Sequence, residues 1–310
     1  MNHPLPTGSM LENYRIERQI SCGGFSIIYL AYDANHQPLA IKEYIPQTLA
    51  LRAAGEVALQ IPPEHQAEFQ RGLAYFFEEA RVLSGLNHPN VIRVLNFFRA
   101  NGTAYMVMPL ERGRTLQDHI RAQRGPIDEA FVVNAFTNLL HGMSEVHRCG
   151  LLHLDLKPAN IWLRCDLTPV VLDFGAARFA VDIGPPAPRA MYTPGFAAPE
   201  QYHGNYTLGP WTDIYAIGAC MYATLAKAAP PPADERLKDD HLHPARQRFS
   251  HLYSPRLLLA IDKCLRLAPA MRPQNARALQ ETLAKVDGSG WSAWMRKLRR
   301  YLQSRHLQPR

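Results

Sequence analysis

The sequence predicts an α+β protein built as two lobes. Between Tyr14 and about Phe98, short runs rich in Ile, Val, Tyr and Phe alternate with turn residues, a pattern typical of sheet strands. From Leu116 onward, apolar residues recur at helical spacing instead, for example over 129–150. A strand-rich first third followed by a helix-rich remainder favours two lobes, which we expect to join near 109–113.

Composition places the chain among folded proteins. Of its 310 residues, 47% are apolar and 20% are charged. The longest apolar stretch, 215–226, is far shorter than the ~20 residues that a membrane-spanning helix needs. The first ten residues have neither a basic start nor an apolar core, so we expect no secretory signal and a cytoplasmic location. Five cysteines without CxxC spacing argue against a disulfide framework and a thiolate zinc site.

Positive charge is concentrated at the C-terminal end. Residues 286–310 hold six basic residues against the single Asp287, which leaves only +2 of the net +7 for the remaining chain. A net charge of +2 outside the tail is too small to indicate a nucleic-acid-binding surface there, so a nucleic-acid partner is disfavoured. The tail's apolar residues, from Trp291 to Leu302, follow helical spacing. The tail is therefore predicted to form a basic amphipathic helix. One interpretation is that this helix binds an anionic membrane surface or a partner protein, and the other is that its apolar side packs against the rest of the chain.

Several motifs follow one another in a fixed order. They are ISCGGFSIIY at 20–29, LAIKEY at 39–44, AYMVMPLERG at 104–113, HLDLKPAN at 153–160, VVLDFGAAR at 170–178 and TPGFAAPEQY at 193–202. Together they resemble the eukaryotic-type (Hanks-type) serine/threonine protein kinases in their bacterial form. The resemblance implies a two-lobed protein-kinase-like fold with a small antiparallel-sheet N-lobe and a larger helical C-lobe. The implied divisions are an N-terminal extension 1–13, a kinase domain 14–285 (N-lobe about 14–108, hinge about 109–113, C-lobe about 114–285) and the basic tail 286–310.

The first motifs resemble an ATP site. In the family, a glycine-rich hairpin covers the phosphates and a strand lysine reaches them, while hinge backbone groups bind the adenine. Ser21 and Ser26 stand where the family usually has glycine, and Trp162 stands where an aliphatic residue usually lies under the adenine. The positions that the resemblance assigns to ATP are Ile20, Gly23, Ile28, Ala40, Lys42, Met108, Glu111 and Trp162.

The phosphate-binding lysine is expected to have a carboxylate partner. Counting back from the HPN sequence at 88–90 selects Glu79 as the partner of Lys42, and leaves Glu78 facing solvent. The two residues lie 37 positions apart, a longer separation than usual, because the segment 44–72 is inserted between them.

The loop HLDLKPAN carries the strongest signal, because a polar cluster of this density has little structural reason to exist on a loop. By resemblance, Asp155 is the catalytic base and Lys157 neutralises the transferring phosphoryl group. Asn160 and Asp173, thirteen residues apart, would bind Mg²⁺, with Mn²⁺ as the alternative ion.

Other motif residues resemble those that support the site. The implied supporting set is Phe174, Gly175, Thr193, Glu200, Asp213 and Arg272. Within it, Glu200 and Arg272 are expected to form a buried ion pair, Asp213 to hold the catalytic loop, and Thr193 to lie near Asp155.

Two departures from the family pattern bear on regulation. Leu154 stands where regulated kinases have an arginine, which makes this a non-RD sequence, and residues 176–192 contain no Ser or Thr. The sequence thus lacks the arginine that would pair with a phosphate on the activation loop. Apart from Tyr192, the loop also has no residue with a hydroxyl that could be phosphorylated. We expect the enzyme to be competent without that switch, or to be controlled through the insertion 44–72, the tail or a partner.

The leading interpretation is an active kinase that phosphorylates protein Ser or Thr. The alternative is a pseudokinase or nucleotide-binding scaffold, suggested by Ser21, Ser26, Pro109 and Trp162. A small-molecule kinase would share the general fold, but the DLKPAN and TPGFAAPE sequences resemble those of kinases with protein substrates.

Overall fold

The computed structural model describes residues 2–174, 178–179, 192–202 and 207–284. Within them, the N-terminal part forms a six-stranded antiparallel sheet in the order β1-β2-β3-β4-β6-β5. The strands are β1 (Met10–Leu11), β2 (Tyr14–Cys22), β3 (Ser26–Tyr32), β4 (Pro38–Tyr44), β5 (Asn96–Ala100) and β6 (Thr103–Pro109). Consecutive β-branched and aromatic residues favour these extended segments, and the predicted N-lobe sheet is confirmed.

One face of this sheet packs against helix α1 (Gln66–Ser84). The buried residues of α1 lie along one side of the helix, most of them three or four positions apart: Phe69, Leu73, Phe76, Glu79, Ala80 and Leu83. At the end of β4, Tyr44 packs its ring against those of Phe69 and Phe76, with centroids 5.3 and 5.7 Å away. The helix thereby brings one carboxylate, Glu79, to the sheet.

The opposite face of the sheet has its own apolar cluster. It includes Ile16, Ile27, Ile41 and Val107 from the strands and Leu5 from the chain before them. The predicted N-terminal extension therefore packs on the N-lobe, and its residues Met10–Leu11 add an edge strand by pairing with β2.

The C-terminal part is mainly helical, as predicted. Its helices are α2 (Leu116–Ala122), α3 (Glu129–Arg148), α4 (Pro199–Tyr202), α5 (Pro210–Ala226), α6 (Ala233–Lys238), α7 (Ala245–Arg248), α8 (Pro255–Cys264) and α9 (Ala276–Ala284). Helix α5 is buried almost all round, which explains its continuous apolar sequence, while α3 and α8 bury one face. None of the helices in the described residues is long and apolar enough to cross a bilayer.

In the described residues, five short strands lie among the helices, and they flank the loops that contain the predicted site residues. They are β7 (Gly113–Thr115), β8 (Leu151–Leu152), β9 (Ile161–Arg164), β10 (Pro169–Val171) and β11 (Arg178–Phe179). The order β10-β9-β7 forms one small sheet, and β8 pairs with β11. The catalytic-loop sequence 153–160 runs between β8 and β9, so both of its ends are held by strands.

Candidate active site

The lysine of the LAIKEY motif lies in the middle of the N-lobe sheet. Lys42 pairs with Ile28 on β3 and Met106 on β6, and Ala40, two residues before it, pairs with Met108. Because side chains alternate along a strand, Ala40 and Lys42 share one face of β4. The sheet thus places the lysine and two of the expected adenine-contacting residues, Ala40 and Met108, close together.

Two carboxylates from distant parts of the chain meet the lysine. Lys42 Nζ lies 2.7 Å from Asp173 Oδ1 and 3.7 Å from Glu79 Oε1. Lys42 and Glu79 are both buried, whereas half of the Asp173 side chain is exposed. Glu78 is instead exposed and pairs with Arg81 on the helix surface, so Glu79 is the partner, as the sequence count predicted.

Burial and charge oppose each other in this cluster. Burial by itself would lower the pKa of Lys42, but the charges of Asp173 and Glu79 outweigh it and raise that pKa. Burial also raises the pKa of Glu79 to about 7, with the charge of Lys42 acting against the rise and that of Asp173 adding to it. The lysine is therefore held charged where an anionic ligand would meet it.

The catalytic-loop sequence gathers its polar side chains around Asp155. Lys157 Nζ donates to Asp155 Oδ2 at 2.7 Å, and the Thr193 hydroxyl donates to Oδ1 at 2.7 Å. Asn160 Nδ2 donates to the Asp155 carbonyl at 2.9 Å and to Oδ2 at 3.2 Å. Lys157 also reaches the Thr193 hydroxyl at 2.9 Å. The result is one continuous hydrogen-bonded cluster that joins three predicted site residues to the segment after the activation loop.

Asp213 on α5 binds the main chain of the loop 153–160. Its two oxygens accept from the backbone N–H groups of His153 and Leu154, both at 2.9 Å, and Oδ2 also lies 2.8 Å from His147 Nε2. Burial would raise the pKa of Asp213, but the hydrogen bond and charge of His147 and the N–H group of His153 lower it. Two residues of the site have a left-handed backbone conformation: Leu154, in the loop, has φ 64, and Asp173 has φ 56. Non-glycine residues adopt this conformation at a cost on the order of 1 kcal/mol.

Phe174 occupies an interior position beside the loop. Its ring is 1% exposed and lies 4.6 Å, centroid to centroid, from that of His153. This contact ties the residue after Asp173 to the loop 153–160.

The segment 192–202 is docked by buried polar groups. Glu200 and Arg272 form the predicted buried ion pair, which the structure shows to be bidentate at 2.7 and 3.0 Å, and both side chains are almost fully buried. Thr212 adds a hydrogen bond to Glu200 at 2.9 Å. On the catalytic side, Gln201 Nε2 donates to the Leu154 carbonyl at 2.7 Å. Sequence reasoning missed Gln201, because a glutamine on a four-residue helix has no signature of its own.

The donor set at Asn160 and Asp173 fits a divalent cation. The amide nitrogen of Asn160 is used by Asp155, so the side-chain oxygen is the group that can act as a ligand. Asp173 provides a half-exposed carboxylate that also pairs with Lys42. Mg²⁺ prefers hard oxygen ligands and completes its shell with water and phosphate, so two protein oxygens suffice.

The hinge has an unexpected ion pair. Arg164 on β9 binds both oxygens of Glu111, at 2.8 and 2.6 Å, and also donates to the Pro89 carbonyl at 2.8 Å. One side chain therefore links the hinge, the C-lobe sheet and the loop after α1. The sequence assigned Glu111 only a backbone role, since nothing in a local motif pairs it with a residue 53 positions away.

Trp162 lies beside the hinge. On β9 it pairs with Thr115 of β7, and its indole nitrogen would be 2.9 Å from a Cβ at Gly113. A side chain at Gly113 would also come within 2.0 Å of the Leu163 carbonyl, so this position, at φ 152, requires glycine. The indole N–H is buried and has no hydrogen-bond partner among the described residues. Trp162 therefore lies against the end of the hinge at Gly113, and its role as the floor of the adenine site stays a prediction.

The glycine-rich hairpin joins β2 and β3. Gly23 and Gly24 form its exposed tip, and Gly23 N donates to the Ser26 carbonyl at 2.8 Å. Ile20, on the approach to the tip, is 38% exposed, and Ile28 is half-buried next to Lys42. Two sequence predictions, Gly175 and the amphipathic tail 286–310, lie outside the described residues.

Comparisons with known proteins agree with this geometry. The family model for the protein kinase domain matches residues 14–284. The chain is 30% identical to the serine/threonine-protein kinase pkn3 of Myxococcus xanthus, over 88% of this chain and 50% of that protein. It is 29% identical to the serine/threonine-protein kinase PknJ of Mycobacterium tuberculosis, over 89% of this chain and 45% of that protein. The chain thus spans about half the length of these curated relatives.

A solved structure shows the same fold. The structure titled PpkA-294 apo form superposes with a TM-score of 0.80 and 35% identity, covering 90% of this chain and 99% of that one. The family match, the two-lobed architecture and the lysine–carboxylate cluster agree with one another. The chain therefore belongs to the protein kinase family, in the eukaryotic-type serine/threonine kinase form that bacteria carry.

Proposed function

We propose that this chain is an active protein kinase that transfers the γ-phosphoryl group of ATP to Ser or Thr residues of protein substrates. The observation that carries the proposal is the assembled cluster in which Lys42 Nζ lies 2.7 Å from Asp173 and 3.7 Å from Glu79. In kinases, an intact lysine–glutamate pair with the metal-binding aspartate in place is the arrangement that supports phosphoryl transfer.

Asp155 is the proposed catalytic base. Its Oδ1 already accepts a hydrogen bond from a threonine hydroxyl, that of Thr193, at 2.7 Å. A substrate hydroxyl bound in the same manner would be oriented for attack and would pass its proton to the carboxylate. Lys157, 2.7 Å from the other oxygen, is placed to stabilise negative charge on the transferring group.

The nucleotide and metal would be held by both lobes. Lys42 would bind the α- and β-phosphates, and Asn160 and Asp173 would bind Mg²⁺, with Mn²⁺ as the alternative. The metal ion, when bound, neutralises charge on the phosphates. Ala40, Met108 and the hinge would enclose the adenine.

We further propose that phosphorylation of the activation segment is not the switch. Leu154, in the position of the usual arginine, is 6% exposed and makes no charge available to a phosphate. The catalytic loop is instead held to the segment 192–202 by neutral groups, namely the Thr193 hydroxyl and the Gln201 amide. These bonds support a loop that is in place without a phosphate.

The test is transfer from γ-labelled ATP to the protein itself and to casein, with Mg²⁺, for the wild type and Asp155→Ala. Label on Ser or Thr that disappears in the variant is the expected result. ATP binding without transfer in the wild type would contradict the proposal and favour a nucleotide-binding scaffold.

The regulatory proposal needs a separate measurement. We expect phosphatase-treated protein and Tyr192→Phe to keep the initial rate of untreated wild type. A rate that requires phosphorylated Tyr192 would refute this part while leaving the kinase assignment intact.

We also propose that the tail 286–310 attaches the chain to an anionic membrane surface. Its six basic residues and helical apolar spacing support this role. The full chain should co-sediment with vesicles containing phosphatidylserine at low salt, and a chain ending at 285 should not. Equal sedimentation of the two, or none at low salt, would remove the membrane proposal.

A further inference from the structure

The insertion after β4 contacts the glycine-rich hairpin. The β3–β4 pairing ends at Ser26 and Tyr44, yet the chain continues to bond the hairpin beyond that point. Ile45 N donates to the Phe25 carbonyl at 2.8 Å and Gln47 N to the Gly24 carbonyl at 2.9 Å. The Gln47 side chain adds a third bond, from Nε2 to the Gly23 carbonyl at 3.0 Å.

The segment that makes these bonds, residues 45–52, is itself firmly held, and we refer to it as the brace. Its first residue, Ile45, is buried in the outer apolar cluster, and Leu49 is buried in the cluster on the other side of the sheet. A turn between them is closed by bonds from Leu49 N and Ala50 N to the Pro46 carbonyl, at 3.1 and 3.0 Å. The brace therefore offers the hairpin fixed partners.

The end of the brace is anchored by a buried ion pair. Both side chains of the pair, Arg52 and Glu43, have no exposed surface. Arg52 also donates to the Tyr29 hydroxyl at 3.3 Å and to the His3 carbonyl at 3.4 Å, and its own N–H donates to Asn2 Oδ1 at 2.8 Å. Gln47 thus lies between two anchored residues of the brace, Ile45 in the apolar cluster and Arg52 in the ion pair. The hairpin tip that Gln47 binds is exposed.

The direction of these bonds determines where the hairpin N–H groups point. In a trans peptide the carbonyl of one residue and the N–H of the next point in opposite directions. Binding the Gly23 carbonyl to Gln47 therefore turns the Gly24 N–H away from the brace, and binding the Gly24 carbonyl does the same for the Phe25 N–H. Neither N–H donates to another residue in the described part of the chain. They remain available as a pair of donors to an anion.

We propose that Gln47 is a positioning residue that holds the glycine-rich hairpin with its N–H groups oriented toward the phosphates of the bound nucleotide. This inference rests on the proposed function, since it assumes that ATP binds under the hairpin. Fixing the hairpin before binding removes part of the backbone entropy that would otherwise be lost when the nucleotide orders it. Ser21 and Ser26 fit the same picture, because a hairpin held in one shape needs less of the freedom that glycine gives.

The variants are chosen to remove the bonds that Gln47 Nε2 donates, to the Gly23 carbonyl and, at 3.6 Å, to Cys22 Sγ, while the backbone bond is kept. Gln47→Ala deletes the Nε2 donor and keeps the backbone N–H, and Gln47→Glu keeps the size of the side chain but cannot donate when ionised. Thr48→Ala is the matched control, because Thr48 is the exposed neighbour on the brace and donates to none of the described hairpin carbonyls.

The measurement compares nucleotides with and without phosphates. Affinities for ATP, ADP and adenosine are measured with Mg²⁺ by calorimetry, and kcat and KM for ATP by phosphoryl transfer. For both Gln47 variants we expect ATP and ADP to bind about threefold to tenfold more weakly, the range that one lost hydrogen bond gives, and KM to rise accordingly. Adenosine affinity and all values for Thr48→Ala should stay within about twofold of wild type.

Hydrogen exchange of the nucleotide-free protein provides a readout that does not depend on catalysis. The amide of Gly23, which donates to the Ser26 carbonyl, should exchange several-fold faster in Gln47→Ala than in wild type or Thr48→Ala. Unchanged exchange, or equal losses of ATP and adenosine affinity, would overturn the positioning role. If wild type bound ATP but transferred no phosphate, the proposed activity would fail while the affinity comparison would still decide the role of Gln47.

Discussion

The buried pair Arg52–Glu43 allows a quantitative test of what holds the N-lobe together. Neither side chain has exposed surface. Arg52 Nη1 donates to Glu43 Oε2 at 2.9 Å and Nη2 donates to Oε1, while the hydroxyls of Tyr29 and Tyr105 donate to the same carboxylate at 2.7 and 2.8 Å. Burial and the Glu43 charge raise the pKa of both tyrosines, so they remain neutral donors.

The perturbation is Arg52→Met, which fills a similar volume without charge. Removing one member of a buried pair costs about 3–5 kcal/mol, because the remaining carboxylate is left without a counter-ion. The two tyrosine donors still bind Glu43, so we expect a loss near the lower end, about 3 kcal/mol.

The assay is urea unfolding of the full chain, followed by circular dichroism and by fluorescence to check that the two transitions coincide. Adding Glu43→Gln to Arg52→Met removes the unpaired charge, so the double variant should be more stable than the sum of the two single effects predicts. Arg15→Met, which breaks the exposed Arg15–Glu17 pair, should leave the midpoint unchanged. A loss below about 1 kcal/mol for Arg52→Met, or strictly additive single effects, would refute the reasoning.

Three further predictions follow from the hinge and the activation segment. Nucleotide binding should change the tryptophan fluorescence, and Trp162→Phe should abolish the change, because Trp162 lies beside the hinge at Gly113. Arg164→Lys should lower the free energy of unfolding by about 1 kcal/mol in urea, because lysine cannot make both bonds to Glu111. Gly195→Ala should cost at least about 1–2 kcal/mol in the same assay, because Gly195 has φ 85 and a Cβ there would lie 2.7 Å from the Pro230 carbonyl.

Each of these has a matched comparison. Trp211→Phe, on α5, should keep the fluorescence response, and loss of the response in that variant instead would move the nucleotide away from Trp162. An unchanged urea midpoint for Arg164→Lys would mean that the hinge pair adds no stability. Gly125→Ala has open space for its Cβ and should be neutral, so equal effects at Gly125 and Gly195 would rule out the steric argument.

The sequence determined the groups of the site where the chemistry is local in the chain. Asp155, Lys157 and Asn160 fall within six positions, and their polarity on a loop could be recognised without any structure. Counting back from the HPN sequence at 88–90 also separated Glu79, which is buried, from Glu78, which is exposed.

Tertiary structure alone decided which distant groups meet. Lys42 and Asp173 are 131 positions apart and Arg164 and Glu111 are 53 apart, and no local pattern links either pair. Arg52 lies in the insertion 44–72, where the sequence predicted no partner for it, yet its side chain is fully buried.

The physical reason is that charged residues in a sequence look solvent-exposed until a partner is placed beside them. Burial of an arginine is tolerable only when a carboxylate and further hydrogen bonds surround it. Here those partners come from β3, β4, β6 and the first residues of the chain, so only the folded sheet could bring them together. The sequence alone thus predicted the candidate reactive groups, while the fold determined which residues of the brace bind the glycine-rich hairpin.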